Sequence, residues 1–183
     1  MNRQVFAALV LASSVLAHAQ WQNAEQSFLG PEVGVFLPSG TEVKNGVGDR
    51  WTTYGLGQVS LSQVAKNRKA SGFNVISGSG NGSKVYILGY TMGVNTPLGD
   101  PRRDQIVPYF TVRAGGAYMD YAVQATPTSR LSGKKFGLTG NAEVGLVISG
   151  RISVSARYDV FTPQDGMSFD GLSLRLKYGI AGF

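Results

Sequence analysis

Phe136-Gly-Leu-Thr-Gly-Asn-Ala-Glu-Val-Gly-Leu-Val-Ile148 decides the fold. Its even positions, Phe136, Leu138, Gly140, Ala142, Val144, Leu146 and Ile148, are apolar or glycine. Its odd positions, Gly137, Thr139, Asn141, Glu143, Gly145 and Val147, are mostly small or polar. Side chains alternate across an extended strand, so this segment has one apolar and one polar face. Arg151 to Phe161 repeats the pattern, with Ile152, Val154, Ala156, Tyr158 and Val160 set against Arg151, Ser153, Ser155, Arg157 and Asp159. The last strand repeats it again, with Leu172, Leu174, Leu176, Tyr178 and Ile180 against Ser173, Arg175, Lys177, Gly179 and Ala181.

Three two-faced strands imply a sheet between two different solvents. A soluble barrel or sandwich buries the apolar face; a transmembrane barrel turns it to lipid and keeps a polar lumen. About 9–11 residues span a bilayer at the usual tilt, whereas soluble strands commonly have about 5–6. The segments here have the longer length, and their polar faces carry full charges in mid-strand. Both facts favour the membrane.

Further out along the chain, residues 1–19 read as a signal peptide. Arg3 is the positive start, Val5 to Leu16 is a short apolar run, and Ala17-His18-Ala19 has the small-x-small form of a cleavage site. No cysteine follows, which excludes a lipoprotein anchor, a disulfide framework and thiol chemistry. Residues 20–183 are then one exported domain with no apolar run long enough for a spanning helix. Only a closed barrel would satisfy its backbone inside a bilayer. The 25 glycines, 8 tyrosines and 9 phenylalanines suit a curved sheet with aromatic girdles. The formal charge of +6 is spread through the strands and does not form a nucleic-acid footprint.

The remaining strands follow in order. Phe28 to Leu37 is the first, with Leu29, Val33, Val35 and Leu37 opposed to Gly30, Glu32 and Gly34. Ser39 to Asp49 reads as a loop. Trp51 to Val64 is the second strand, and a slip in its alternation predicts a bulge near Gly55-Leu56-Gly57. A basic turn, Lys66 to Lys69, leads to the weakly patterned Ser71 to Ser77 and a glycine-rich tip, Gly78 to Gly82. Lys84 to Asn95, a turn over Pro97 to Arg103, and Ile106 to Tyr121 come next. Thr126 to Gly133 reads as a loop before the three strands already described. The expectation is an all-β, eight-stranded antiparallel up-and-down transmembrane barrel, the smallest size, whose interior side chains fill.

These features together resemble the small outer-membrane barrels of the OmpA/OmpX-like superfamily. The resemblance covers residues 20–183 and is carried by pattern, not by a catalytic motif. It implies a Gram-negative outer-membrane location, contact with outer-membrane lipid and with the outer-membrane assembly machinery, and a monomer. It also implies that Leu172 to Phe183 is the assembly signal, with Tyr178 and Phe183 as its aromatic marks. Phe183 is odd-numbered whereas the apolar face is even, a departure of one residue from the expected phase.

The sequence offers little for catalysis. Its single histidine, His18, lies in the signal segment, so a Ser-His-acid triad and histidine-based zinc sites are excluded from the mature chain. Outer-membrane lipid A deacylases share the architecture but use such a constellation. Asp165, Gly166 and Asp170 match no EF-hand spacing, and Gly78 to Gly82 lacks the ending of a phosphate loop. No enzymatic activity, cofactor or metal is expected. What remains is the polar face: Glu32, Arg113, Glu143, Arg157, Asp159, Arg175 and Lys177 share the lumen side by parity. Charges in a narrow lumen must pair, and Glu143 with Arg113, on neighbouring strands at similar depth, is the preferred pair. The expected role is structural or surface-interacting with a plugged or very narrow lumen. The alternatives are a narrow porin-like pore and, from another class, a soluble lipocalin-like barrel with its faces reversed around an apolar ligand.

Overall fold

The computed structural model describes residues 27–61, 68–100, 104–126, 129–149 and 151–179. The expected signal peptide and the terminal Phe183 lie outside them. Eight strands form one closed barrel in sequence order: β1 (Ser27–Pro38), β2 (Trp51–Ser60), β3 (Lys69–Gly80), β4 (Ser83–Pro97), β5 (Ile106–Thr126), β6 (Ser129–Ile148), β7 (Ile152–Phe161) and β8 (Gly171–Tyr178). All neighbours are antiparallel, and β1 closes on β8 from Glu32↔Lys177 to Pro38↔Gly171. Closure removes every sheet edge within the wall.

The faces run as a membrane barrel requires. Val35, Met92, Val112, Val144, Val154 and Leu174 point outward and are each at least 44% exposed. The charged face points inward. This parity is opposite to that of the lipocalin-like alternative, which needs its charges outside. Outward aromatics pair across strands, Phe73 with Tyr90 at 4.5 Å and Tyr118 with Phe136 at 5.0 Å between ring centroids.

Four local expectations are corrected. First, the loop over Ser39 to Asp49 contains a helix, α1 (Thr41–Val47). Its Val43, Gly46 and Val47 are buried, at the three- and four-residue spacing that puts them on one helical face. The buried face packs across the mouth of the barrel, where Gly46 approaches Val123 too closely for a Cβ. Second, no bulge forms near Gly55 to Gly57, because β2 pairs in unbroken register with both neighbours. The apparent slip arises because Val59 and Leu61 face the lumen; they join an apolar ring inside its lower end. The expected end of that strand at Val64 lies outside the described residues.

Third, β3 runs on to Gly80 and turns into β4 over Asn81 and Gly82 alone. Both have positive φ, 49° and 73°, the signature of a type I′ hairpin turn. Fourth, most of the expected loop between β5 and β6 is strand. The two strands pair from Ile106↔Ile148 out to Thr126↔Ser129, with one irregularity between Gln124 and Thr126. At 21 and 20 residues they are about twice the length of β7, which has 10. On its β7 side the β5–β6 hairpin therefore projects well beyond the adjoining wall, whereas on the other side β4 accompanies β5 out to Lys84↔Ala122.

Candidate functional site: a layered lumen and a projecting hairpin

The lumen has three layers. At the mouth, Phe36, Trp51, Ile76, Val85, Ile87, Met119 and Phe161 converge from the strands. Val43 and Val47 of α1 and Met167 and Phe169 of the β7–β8 loop drop in from above. Phe36 stacks on Trp51 with centroids 5.5 Å apart, and the indole N–H donates to the Gly48 carbonyl at 3.0 Å. Large rings fit because glycine stands opposite: a Cβ at Gly78 would lie 2.5 Å from the Trp51 ring, and one at Gly171 2.5 Å from Phe36. At the other end Val59, Leu61, Val107, Tyr109 and Val147 form the second apolar layer.

Between these layers lie the charges. All seven parity-selected residues are there, and each is at most 5% exposed. Arg113 Nη2 donates to Glu143 Oε2 at 2.6 Å, so the structure joins the preferred pair directly. Tyr109 fixes the other oxygen, its hydroxyl donating to Glu143 Oε1 at 2.6 Å and lying 2.9 Å from Ser153 Oγ. Around Glu32 gather three cations: Arg175 in direct hydrogen bond, Lys177 Nζ at 3.4 Å and Arg157 Nη1 at 3.7 Å. Arg157 Nε also lies 3.0 Å from Asp159, which accepts from Ser173 Oγ at 3.1 Å. Arg175 Nη2 donates to Thr53 Oγ1 at 2.8 Å. The result is two polar clusters in one layer. Arg113, Glu143, Tyr109 and Ser153 form one across β5, β6 and β7. Glu32, Arg157, Asp159, Ser173, Arg175, Lys177 and Thr53 form the other across β1, β2, β7 and β8.

Parity alone places Tyr109 on the lumen face, but nothing in the sequence marks it as the second holder of Glu143. Asn95 and Thr111 were likewise unmarked. Thr111 donates to the Asn95 side-chain oxygen at 2.6 Å, and Asn95 donates to the Ser60 carbonyl at 2.6 Å. Of the proposed assembly marks, Tyr178 closes β8 and faces outward at 52% exposure.

Above the wall, a turn with positive φ at Asp165 and Gly166 folds over the mouth. Asp165 accepts from both Tyr121 and Lys135 on the projecting hairpin. Those contacts, the Lys135 hydrogen bond first and the Tyr121 hydroxyl second, hold the Asp165 carboxyl below its ordinary range. Outside this latch the hairpin has a free edge. The pairing of β6 with β7 stops at Thr139↔Phe161, and Leu138 makes one further pair of hydrogen bonds with Thr162. Antiparallel pairing alternates, so the N–H and C=O groups of Arg130, Ser132, Lys134 and Phe136 point the same way as those of Leu138. No described strand pairs with them there.

No family model and no curated protein matches the sequence. Solved structures do. The N-terminal β-barrel domain of Pseudomonas aeruginosa OprF is similar at TM-score 0.53 and 12% identity, over 84% of this chain and 98% of that one. Neisserial surface protein A is similar at 0.53 and 10%, over 87% and 100%. Yersinia pestis Ail, in complex with the heparin analogue sucrose octasulfate, is similar at 0.52 and 11%, over 84% and 98%. The chain has the fold of the small outer-membrane barrels. At these identities the likeness extends to the backbone architecture, and the lumen contacts above are this chain's own.

Proposed function

We propose that this protein is an exported, integral outer-membrane barrel without enzymatic activity, closed to solutes, whose working surface is the projecting β5–β6 hairpin. The apolar outer belt around a buried charge network supports the membrane setting, because in water both faces would be on the wrong side. The observation that carries the surface role is the unpaired edge of β6. A free strand edge accepts an extended chain through main-chain hydrogen bonds, a common mode of peptide recognition. Arg130 and Lys134 stand on the edge strand, reaching the Gly82 carbonyl and Asp120 across the hairpin, and this local basic charge favours an acidic extended segment.

The membrane part is tested by comparing boiled and unboiled detergent extracts of a washed outer-membrane fraction on a gel. A heat-dependent mobility shift is expected, and release into the soluble fraction without a shift would refute the membrane setting. The surface part is tested with an alternating Glu-Val peptide as probe and Ser132→Pro as the variant. Proline removes one donor from the free edge without touching the wall. Binding to the parent and its loss in Ser132→Pro are expected; equal binding by both would remove the edge from the reading. The pore alternative is disfavoured by the two apolar layers, since an ion would have to cross both. Stepwise conductance in a planar bilayer would reverse that judgement.

A further inference from the structure

The charged layer has a feature that neither plugging nor surface binding explains. Among the described residues it holds four basic side chains, Arg113, Arg157, Arg175 and Lys177, against three acidic ones, Glu32, Glu143 and Asp159. The apolar layers on both sides shut this surplus of one positive charge away from bulk water. An uncompensated charge in such a place is costly.

Arg113 is paired with Glu143, so the surplus arises among Arg157, Arg175 and Lys177 around Glu32 and Asp159. The same layer also contains a corner of orphaned hydrogen-bonding groups. Thr91 Oγ1, Arg113 Nε and both amide atoms of Asn141 are buried and have no partner. Register places them together: Arg113 stands opposite Gly93 on one side and Asn141 on the other, and Thr91 stands opposite Gly115, two residues along β5. Gly93 and Gly115 leave this wall bare. A Cβ at either would lie 2.0 Å from a backbone oxygen, so the strand packing admits no side chain at these two positions. The nearby carboxylate of Glu143 accepts from Tyr109 and from Arg113 Nη2 and makes no hydrogen bond with Arg113 Nε.

We propose that this corner, formed by Thr91, Arg113 and Asn141, binds one small monovalent anion, a halide in the simplest case. The hydroxyl, the guanidinium N–H and the amide N–H are all donors, which suits an anion and repels a metal cation. One negative charge balances the layer, where a multiply charged oxyanion would overshoot. Water satisfies donors equally well but leaves the charge unbalanced.

The direct test is anomalous scattering from crystals of the detergent-solubilised protein grown with bromide. A bromide peak in contact with Arg113 Nε is expected. A peak beside Lys177 instead, or none, would overturn the assignment. Thermal unfolding supplies the second measurement, at constant ionic strength with gluconate as the bulky counterion. A ligand that binds only the folded state raises the melting temperature with its concentration. Replacing gluconate by chloride is therefore expected to raise the transition by several degrees in the parent, by less in Thr91→Val, and not at all in Lys177→Met. Equal melting of the parent in both salts would mean that no anion is held. Should Lys177→Met fail to give the heat-dependent gel shift of a folded barrel, the bromide result on the parent decides alone.

Discussion

The β7–β8 wall and the β5–β6 hairpin begin from the same two-faced pattern and end in different surroundings. β7 and β8 have 10 and 8 residues, about what a bilayer needs, and their buried and exposed positions alternate almost without exception. β5 and β6 have twice that length, and their outer halves are no longer a boundary between lipid and lumen. There, water replaces lipid on the outside and an apolar plug replaces the charges on the inside. Apolar–polar alternation in the sequence thus marks the part of a strand that separates two solvents, and it fades over Ser129 to Lys135 although more and less exposed positions still alternate there.

The sharpest test of this contrast is at the inner face of the membrane half. Glu143→Ala removes the partner of both Arg113 and Tyr109 and strands a buried guanidinium. Breaking a buried pair in this way costs about 3–5 kcal/mol. Unfolding by urea in detergent should show it, and an unchanged midpoint would mean that the network does not hold the barrel. Glu143→Ala combined with Arg113→Met should recover much of the loss, because no unpaired charge remains in that pair.

Next comes the outer face. Leu174, in mid-strand on β8, is 54% exposed on the surface assigned to lipid. Leu174→Arg should cost about 2–4 kcal/mol if the residue lies near the midplane. Ser132→Arg, on the exposed hairpin, should fall within about 0.5 kcal/mol of the parent, as surface changes do. Folding into vesicles measures both. Equal effects would erase the distinction between the two halves.

The mouth should respond less. Val43 of α1 is fully buried beneath its helix. Val43→Ala should destabilise by about 1–3 kcal/mol if α1 unfolds together with the barrel. If the helix opens separately, the global transition stays put while amide exchange in residues 41–47 accelerates. Either result locates the boundary between plug and wall.

Much of this was legible in the sequence, and the failures have one physical origin. Parity named the seven buried charges because in the membrane half each face meets a single environment. The mouth defeated it because Phe36, Val85, Ile87 and Met119 are apolar residues on the polar parity. Their signal was present as stretches apolar on both faces, such as Val85-Tyr-Ile-Leu88. Such a stretch means a strand packed on both sides, here by lipid or aromatic neighbours outside and by the plug inside. α1 was hidden for another reason. Seven residues containing a glycine and an asparagine and flanked by Gly40 and Gly48 look like loop, and only the tertiary burial of Val43 and Val47 makes a helix of them. The length of the β5–β6 hairpin was hidden by Pro127, Ser129 and Gly133, which read as turn residues although most of that stretch is extended.

The smallest expected effect concerns the latch between the two regions. Asp165, on the β7–β8 side, holds Lys135 and Tyr121 of the hairpin, and its carboxyl is shifted below the ordinary range by those contacts. A depressed carboxyl stabilises its contact above the unfolded pKa, and that contribution disappears as pH falls through the folded value. Acidification should therefore release the 162–170 turn at pH values below the usual aspartate range while the barrel stays folded. The buried Met167 methyl reports this by NMR, since it sits in the plug directly after the turn. In Asp165→Asn the methyl signal should already be displaced at neutral pH and should no longer follow the acid titration. If the parent and the variant titrate alike, the plug is held by its apolar contacts alone, and the hairpin is mechanically independent of the mouth it overhangs.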